Sequence, residues 1–347
     1  MNSGRALTLL RVGSCRFTAY YWSMWCVGTA IAGVSGRAYV AWTAAAFGFW
    51  FLYCLSVEIL NRVADEDEDR INRAERTALC DTIGYRRLAF LSRAGWTAVT
   101  ALAIVGVAVE PSLPLAIFLA LNIVIGIGYS AGPHLKRYPR LSQIVLAAPL
   151  CLPLCAGAAI GGDWTVYNGG LALVAVLAAF VVGLAGIKDI TDIAGDRAVG
   201  FASVWTRLAG SPRKATRLSA IVLAPLATTG VLVGVGALPG RMLWLAVAAP
   251  VTVAVVLAAV RASSGAEREA AREVMYNYQL LFACAAAVLL VGTMPVLLTV
   301  LLALAWWVLG SGRLHWNSGL TPARLAVWRR LLAGGGATPT TIQKGGV

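Results

Sequence analysis

The sequence predicts an all-α protein that spans a membrane about nine times. Of its 347 residues, 59% are hydrophobic and only 13% are charged, and the mean hydropathy is +0.74. Soluble domains do not have this composition, whereas polytopic membrane proteins do. Apolar stretches recur along the chain, and each is close to the length of about 20 residues that a helix needs to cross a bilayer.

The predicted spans follow one another from residue 17 onward. The start of the chain is basic but has no small-residue cleavage site, so the first apolar stretch is predicted as a membrane helix. An apolar run after Pro295 continues to about residue 310, and the sequence leaves open whether it is a separate span. The nine main spans are residues 17–34, 38–61, 88–109, 112–131, 141–161, 166–187, 218–238, 242–260 and 275–293.

The distribution of Lys and Arg predicts the orientation in the membrane. If the N-terminus is cytoplasmic, segments 62–93 and 188–217 carry 7 and 6 basic residues, whereas the opposite side carries only Arg37 and Arg241. Basic loops face the cytoplasm, so we expect a plasma-membrane protein with its longest loops inside the cell. The net charge of +13 then reflects loops near anionic lipids and not nucleic-acid binding. The expected parts are a cytoplasmic N-terminal segment (1–15), a membrane domain (16–310) and a basic, flexible tail (311–347).

Cysteine and histidine give little material for a metal or catalytic site. The seven cysteines lie mostly in apolar stretches, where cysteine behaves as a small hydrophobic residue, and they form no Cys-x-x-Cys pair. The chain has only two histidines, His134 and His315. A histidine-based metal site or a Ser-His-Asp triad is therefore disfavoured.

A first cluster of acidic residues stands at the end of the second predicted span. Acidic groups near a membrane are costly and usually have a partner. Asn61, Asp65 and Asp69 stand at positions i, i+4 and i+8, so a helix places them on one slanted face. Glu58 adds a carboxylate one turn earlier. The interleaved carboxylates are expected to face water: Glu66, Asp67 and Glu68.

A second acidic cluster stands at the end of the sixth predicted span. Asp189, Asp192 and Asp196 are at positions i, i+3 and i+7, again on one helical face. Four spans separate the two clusters, and an even number places both on the same side of the membrane. The spacing is also compatible with one four-helix unit used twice, although the sequences are too different to prove it.

Two facing stripes of side-chain oxygens predict a magnesium site. Mg²⁺ prefers oxygen ligands and usually binds through one or two carboxylates plus substrate phosphates, so we expect two or three ions around a diphosphate. Lys188, within the second cluster, and Lys136, after the fourth helix, are well placed to bind phosphate. The alternative is a solvated acidic helix end that is balanced by nearby arginines: Arg70, Arg73 and Arg76.

The two clusters resemble the motifs of the UbiA superfamily of intramembrane prenyltransferases. The family has an Asn-x-x-x-Asp-x-x-x-Asp motif after helix two, and here its positions are Asn61, Asp65 and Asp69. A second motif, Asp-x-x-x-Asp, follows helix six, and here its positions are Asp192 and Asp196. The paired motifs are specific, whereas either one alone would be a weak signal.

A third segment supports the resemblance, which covers about residues 16–295. Tyr129–Arg137 is similar to the family's segment after helix four, in which Tyr-Ser leads to a pair of prolines and a Lys. Gly132 replaces one of those prolines, and the family's Arg-Pro-(Leu/Ile)-Pro-Ser-Gly sequence after the first motif is replaced by the run Arg76–Arg87. Both departures lie on the cytoplasmic cap, so they leave the acceptor and the covering loop open.

The resemblance implies an all-helical fold around a central cavity that opens sideways to lipid, with Mg²⁺ as the cofactor and a prenyl diphosphate as the substrate. The predicted catalytic residues are Asp65, Asp69, Asp192 and Asp196. The predicted metal ligands are Asn61, Asp65, Asp69, Asp189, Asp192 and Asp196. The predicted substrate-binding residues are Arg76, Tyr129, Lys136 and Lys188.

The sequence leaves three functions open. The first is transfer of a prenyl group to an aromatic, quinone-precursor or other lipophilic acceptor. The second is a membrane terpene cyclase, in which aromatic faces stabilise a cation, although the same aromatics also suit anchoring at the interface: Trp22, Trp25, Trp50, Phe51 and Tyr53. The third is a transporter, which the position of the carboxylates at helix ends disfavours because transport sites lie near the bilayer midplane.

Overall fold

The computed structural model describes residues 3–161, 169–198, 205, 211–317 and 320–334. Every regular element within these ranges is helical. The α-helices are α1 (Ser3–Val12), α2 (Thr18–Ile31), α3 (Gly36–Ala64), α4 (Glu66–Asn72), α5 (Ala74–Ile83), α6 (Tyr85–Val109), α7 (Leu113–Ser130), α8 (Pro139–Val145), α9 (Ala148–Ala158), α10 (Gly170–Lys188), α11 (Ile193–Ala198), α12 (Lys214–Gly234), α13 (Ala249–Arg261), α14 (Gly265–Val291), α15 (Met294–Arg313) and α16 (Pro322–Leu332).

Eight of the helices are long and apolar enough to cross a membrane, which confirms the all-α polytopic prediction. The run after Pro295, which the sequence left open, forms a separate helix of 20 residues, α15. Spans Gly170–Thr191 and Gly240–Arg261 extend α10 and α13 by 3₁₀ turns. The other long helices are α3, α6, α7, α12 and α14.

The first and fifth predicted spans form shorter helices. The first becomes α2, with 14 residues, and the fifth divides into α8 and α9. Helices α2 and α9 cross in backbone contact, because a Cβ on Gly28 would lie 2.0 Å from the Leu154 carbonyl oxygen, and one on Gly157 would lie 2.1 Å from that of Trp25. Both helices are therefore packed in the centre of the protein and have little contact with lipid.

A buried ion pair holds the first helices to α14. Helix α14 begins at a capping box formed by Ser264 and Glu267, and most of its long span is buried. Arg16 donates two hydrogen bonds to Glu273, of 2.7 and 2.8 Å, and the two side chains are 1% and 0% exposed. The ring of Trp307 on α15 lies 4.6 Å from the Arg16 guanidinium. Three distant parts of the chain thus meet around the Arg16 guanidinium.

The segment after α15 returns over the end of the bundle. Helix α16 packs against α13 and α14, and the Arg261 guanidinium donates to the carbonyls of Leu331 and Leu332 at 2.9 and 2.8 Å. These contacts hold part of the predicted tail (residues 311–347) against the helix bundle. The remainder of that predicted tail, residues 335–347, lies outside the described residues.

Candidate functional site

A polar chamber lies where α3, α7 and α10 end. Nine of the ten residues predicted from the sequence line it, so two acidic clusters that are far apart in the chain face one space. These residues are Asn61, Asp65, Asp69, Arg76, Tyr129, Lys136, Lys188, Asp189 and Asp192. The tenth, Asp196, is on α11, and its side chain lies outside the described part of the structure.

The first acidic cluster is held at a break between two helices. Helix α3 ends at Ala64, Asp65 leaves the helical conformation, and α4 begins at Glu66. The Asn61 side chain lies between Ser130 and Asp65. With its amide nitrogen towards them, this nitrogen is 2.8 Å from the Ser130 hydroxyl oxygen and 3.0 Å from an Asp65 carboxylate oxygen. Asp65 forms an ion pair with Lys136, which links the cluster to the segment after α7.

The helix break corrects one prediction from the sequence. The expectation that Glu68 faces water is wrong, because the break turns α4 and Glu68 becomes part of the chamber wall, 3.9 Å from Lys136. Burial, and then the charge of Asp69, raise the pKa of Glu68. Asp67 is exposed, as expected, and Glu66 pairs with Arg70 at the surface.

The second acidic cluster is also interrupted. A 3₁₀ turn, Asp189–Thr191, separates α10 from Asp192 and α11, so the predicted continuous helical face does not form. Arg73 pairs with Asp192 and donates to it from Nε at 3.2 Å. Burial would raise the pKa of Asp192, but the charge of Arg73, and then that of Arg272, outweigh burial and hold the pKa below its usual value.

Asn72 joins the two clusters directly, and sequence reasoning missed it. Its side-chain nitrogen donates to the Asp192 carbonyl at 3.2 Å, and its side-chain oxygen accepts from the Gly195 amide at 2.8 Å. A Cβ on Gly195 would lie 2.2 Å from the Asn72 nitrogen, so this close approach requires glycine. The two hydrogen bonds therefore hold α4 against the segment that begins α11.

Basic side chains occupy the space between the carboxylates. Asp65 pairs with Lys136, Asp69 with Arg76, and Asp192 with Arg73. Within the described ranges, three or more carboxylate, His or Cys groups do not converge closely enough to hold a metal ion. The donor set nevertheless fits Mg²⁺, since the facing groups are carboxylate and amide oxygens. The carboxylates of the chamber are neutralised by arginine and lysine side chains, and these are also the side chains that bind diphosphate.

The polar chamber continues into an apolar chamber within the helix bundle. Tyr129 and Lys188 stand at the junction, where the Lys188 ammonium bonds the Tyr129 hydroxyl and lies 5.0 Å from its ring centre. Helices α3, α7, α10 and α14 surround this inner chamber, and aromatic rings form much of its wall. The residues that line both chambers are Phe17, Glu58, Asn61, Tyr129, Lys188 and Tyr276.

A segment that follows α15 covers the polar chamber and forms its roof. The sequence did not predict this contact. His315 and Trp316 line the chamber, and the Trp316 ring lies 5.6 Å from the Arg76 guanidinium. His315 is 3.0 Å from the Ser14 hydroxyl, and burial, followed by the charge of Arg16, holds its pKa well below the usual value. Asn317 continues the roof by donating to Glu269 at 2.9 Å.

The fold and site together define an integral membrane protein in which a charged chamber adjoins an apolar one. The chain belongs to the UbiA prenyltransferase family, whose model matches residues 20–280. The roof formed by His315 and Trp316 lies beyond this matched region. No curated protein sequence matches the chain significantly.

Two solved structures share the fold at low sequence identity. One, from work on digeranylgeranylglyceryl phosphate synthase in membranes, has a TM-score of 0.56 and 15% identity, over 82% of this chain and 98% of that chain. Another, a UbiA homolog from Archaeoglobus fulgidus bound to DMAPP and Mg²⁺, has a TM-score of 0.51 and 16% identity, over 81% and 99% of the two chains.

Proposed function

We propose that this protein is a magnesium-dependent intramembrane prenyltransferase that ionises a prenyl diphosphate and transfers the prenyl group to an aromatic or other lipophilic acceptor. One observation carries the proposal: a chamber lined by carboxylates and basic groups joins an apolar chamber through six shared residues. A prenyl diphosphate has the same two parts, a charged head and an apolar chain. The A. fulgidus homolog bound to DMAPP and Mg²⁺ supports the assignment.

The diphosphate would take the place that the basic side chains now fill. In the polar chamber Arg73 pairs with Asp192, Arg76 pairs with Asp69, and Lys136 pairs with Asp65 and lies 3.9 Å from Glu68. Arginine binds phosphate as a bidentate fork and lysine as a point charge, so the three can move from carboxylates to diphosphate oxygens. Lys188, which bonds Tyr129 at the junction of the two chambers, would contribute a further positive charge to the bound diphosphate.

The released carboxylates would then hold the cofactor. Asn61, Asp65 and Asp69 would supply oxygens from one side, and Asp189 and Asp192 would supply them from the other. Asp196 joins this proposed set on the sequence motif alone. When bound, Mg²⁺ supplies positive charge that stabilises the departing diphosphate. The residues of the inner chamber exclude water, and this protects the allylic cation from premature capture.

A terpene cyclase is the second candidate, and the walls of the inner chamber favour it. Tyr20, Tyr21 and Tyr53 line this chamber together with Phe17 and Tyr276. Aromatic faces attract cations, so these rings can stabilise positive charge as it moves along a folding chain. In the cyclase the substrate's own double bond captures the cation, and an acceptor is not required.

Diphosphate release by the protein in nanodiscs tests the proposal and separates the two candidates. Geranyl, farnesyl and geranylgeranyl diphosphates are supplied with Mg²⁺, first without an acceptor and then with aromatic acceptors. Release that requires an acceptor supports the transferase. Mg²⁺-dependent release with a cyclic hydrocarbon or alcohol, and no acceptor, supports the cyclase instead. If none of the donors releases diphosphate under either condition, the proposed function is wrong.

We further propose that the protein lies in the plasma membrane with the polar chamber on the cytoplasmic side. The excess of Lys and Arg at this end of the bundle supports the orientation. Labelling of single cysteines introduced near Arg70 and near Arg241 in intact cells tests it. The proposal requires that only the site near Arg241 reacts with an impermeant reagent.

Removing the Asn72 side chain should weaken magnesium binding without unfolding the protein. Asn72→Ala breaks the two hydrogen bonds that hold the acidic clusters together, and loss of such outer contacts lowers metal affinity about tenfold or more. The measurement is the Mg²⁺ concentration that gives half-maximal diphosphate release. Thr82→Ala is the control, since its exposed hydroxyl bonds only the Leu79 carbonyl. An unchanged Mg²⁺ dependence in Asn72→Ala would show that the bridge does not position the ligands.

A further inference from the structure

The inner apolar chamber ends at a layer of stacked aromatic rings. Tyr21 and Tyr53 line the chamber, with ring centres 5.1 Å apart. Trp50 covers both from the far side, stacked on Tyr21 at 5.5 Å and edge-on to Tyr53 at 5.3 Å. Trp50 is fully buried and is the largest side chain with this degree of burial.

A second apolar cavity begins on the other side of this layer. Trp50 lines it, together with Trp25 and Phe49, whose rings lie 5.9 and 4.8 Å from that of Trp50. The cavity continues between α3 and α6 toward Glu110. Of the described residues, none lines both this outer cavity and the inner chamber. The layer of Tyr21, Tyr53 and Trp50 therefore separates two apolar spaces that follow one another along α3, and Trp50 forms its face on the outer cavity.

We propose that Trp50 limits the length of the prenyl chain that the protein accepts. The proposal rests on the function proposed above, in which the diphosphate lies beside Asp65 and the chain extends into the inner chamber. Trp50 lies on α3 fifteen residues before Asp65, which follows the end of that helix, and a rise of 1.5 Å per residue separates them by about 22 Å along the helix axis. A chain that reaches this depth meets the aromatic layer, in which Trp50 supports Tyr21 and Tyr53 from behind.

Hydrogen bonding distinguishes two residues of the layer as sites for substitution. Trp50 can be replaced without the loss of a hydrogen bond, whereas Tyr53 cannot. The Tyr53 hydroxyl donates to the Asn122 carbonyl at 2.7 Å, so its removal would break a buried hydrogen bond. The Trp50 indole nitrogen has no hydrogen-bond partner in the described part of the chain. A smaller apolar residue at position 50 thus removes the ring that supports Tyr21 and Tyr53 and leaves space for the layer to give way, and it breaks no hydrogen bond.

The test compares donor preference in Trp50→Leu and Trp50→Ala with that of the unchanged protein. The measured quantity is the ratio of kcat/KM for geranylgeranyl diphosphate to that for geranyl diphosphate. Binding of the matching unreactive thiolodiphosphates gives a second readout that does not depend on turnover. A pocket discriminates by about tenfold or more per added group that it cannot hold, so we expect the ratio to rise at least about tenfold in Trp50→Ala and less in Trp50→Leu.

Trp96→Leu is the matched control. Trp96 is also a buried tryptophan against Tyr53, with ring centres 5.3 Å apart, and its indole nitrogen has no partner among the residues described. It lines neither the inner chamber nor the outer cavity. We therefore expect its donor ratio to match that of the unchanged protein, even if its stability falls by a similar amount.

The outcomes separate failure of this inference from failure of the proposed function. If the unchanged protein turns over prenyl diphosphates and both Trp50 variants remain active on geranyl diphosphate with the original ratio, Trp50 does not limit chain length. A rise of equal size in Trp96→Leu also overturns the inference, because loosened packing would then explain it. If the unchanged protein releases no diphosphate from any donor, it is the proposed function that fails.

Discussion

Replacing Asp65 by alanine is expected to reduce turnover of prenyl diphosphate by at least about 1,000-fold, because it removes a proposed ligand of the metal that stabilises the leaving group. The protein should still fold, since Lys136 retains Glu68 at 3.9 Å after the change. Asp192→Asn should have a comparable effect, and asparagine keeps the side-chain shape beside Arg73. Diphosphate release at saturating Mg²⁺ measures both variants.

Asp67→Ala is the matched control for this experiment. Asp67 stands on α4 between Glu66 and Glu68, but its side chain is exposed and does not line the polar chamber. Its removal changes the local charge by the same amount and should leave turnover within about twofold, as is usual for surface changes away from a site. Full activity of Asp65→Ala in a well-folded sample would contradict the assignment of the first acidic cluster.

Removing Glu273 is expected to lower the free energy of unfolding by about 3–5 kcal/mol, because it leaves the Arg16 guanidinium buried without its counter-charge. The pair is 1% and 0% exposed, so water cannot replace the lost carboxylate. Glu273→Ala, unfolded by denaturant in detergent micelles, gives the measurement. The effect should be larger than that of any single apolar truncation at the lipid-facing surface.

The Arg70–Glu66 pair provides a control with the same N···O distance but without burial. Its N···O distance is 2.7 Å, equal to that of the buried pair, and its side chains are 47% and 36% exposed. Glu66→Ala should therefore cost no more than about 1 kcal/mol. Replacing both buried residues, as in Arg16→Met with Glu273→Met, should restore much of the loss. Similar costs for Glu273→Ala and Glu66→Ala would contradict the role given to burial.

The membrane fold could be predicted from composition and apolar segments because a helix that crosses lipid must be long and apolar. Seven of the eight long helices in the described ranges were predicted as spans and the eighth, α15, was left open, whereas the first and fifth predicted spans form shorter helices. Those two segments, α2 and α9, lie in the protein interior, where Gly28 and Gly157 allow backbone contact. An apolar stretch that packs against protein has the same composition as one that faces lipid, so the sequence alone could not separate them.

The polar chamber could be predicted from its motifs, since the charged residues stand out in an apolar chain. The sequence did not predict the helix break at Asp65, which turns Glu68 into the chamber. It also missed Asn72, whose two bonds cross 120 and 123 positions of the chain. Contacts at such separation leave no local pattern, and a single Asn, Arg or Trp is common enough to carry no signal by itself.

The sequence also could not establish the role of several aromatic residues. The sequence left five aromatic residues as possible cavity walls or interfacial anchors: Trp22, Trp25, Trp50, Phe51 and Tyr53. In the structure Tyr53 lines the inner chamber and Trp25 and Trp50 line the outer cavity, whereas Trp22 and Phe51 line neither. The aromatic layer depends on α2 lying against α3, which only the tertiary structure provides.

The ion pair between Arg16 and Glu273 has a consequence for how the protein is made. The two residues are 257 positions apart, so at about 5–20 residues per second the ribosome needs roughly 13–50 s to reach the second after the first. During this interval the nascent chain holds an arginine that belongs in the protein interior but has no carboxylate to receive it. The ion pair, which connects the turn before α2 to α14, therefore forms only after most of the chain has been synthesised.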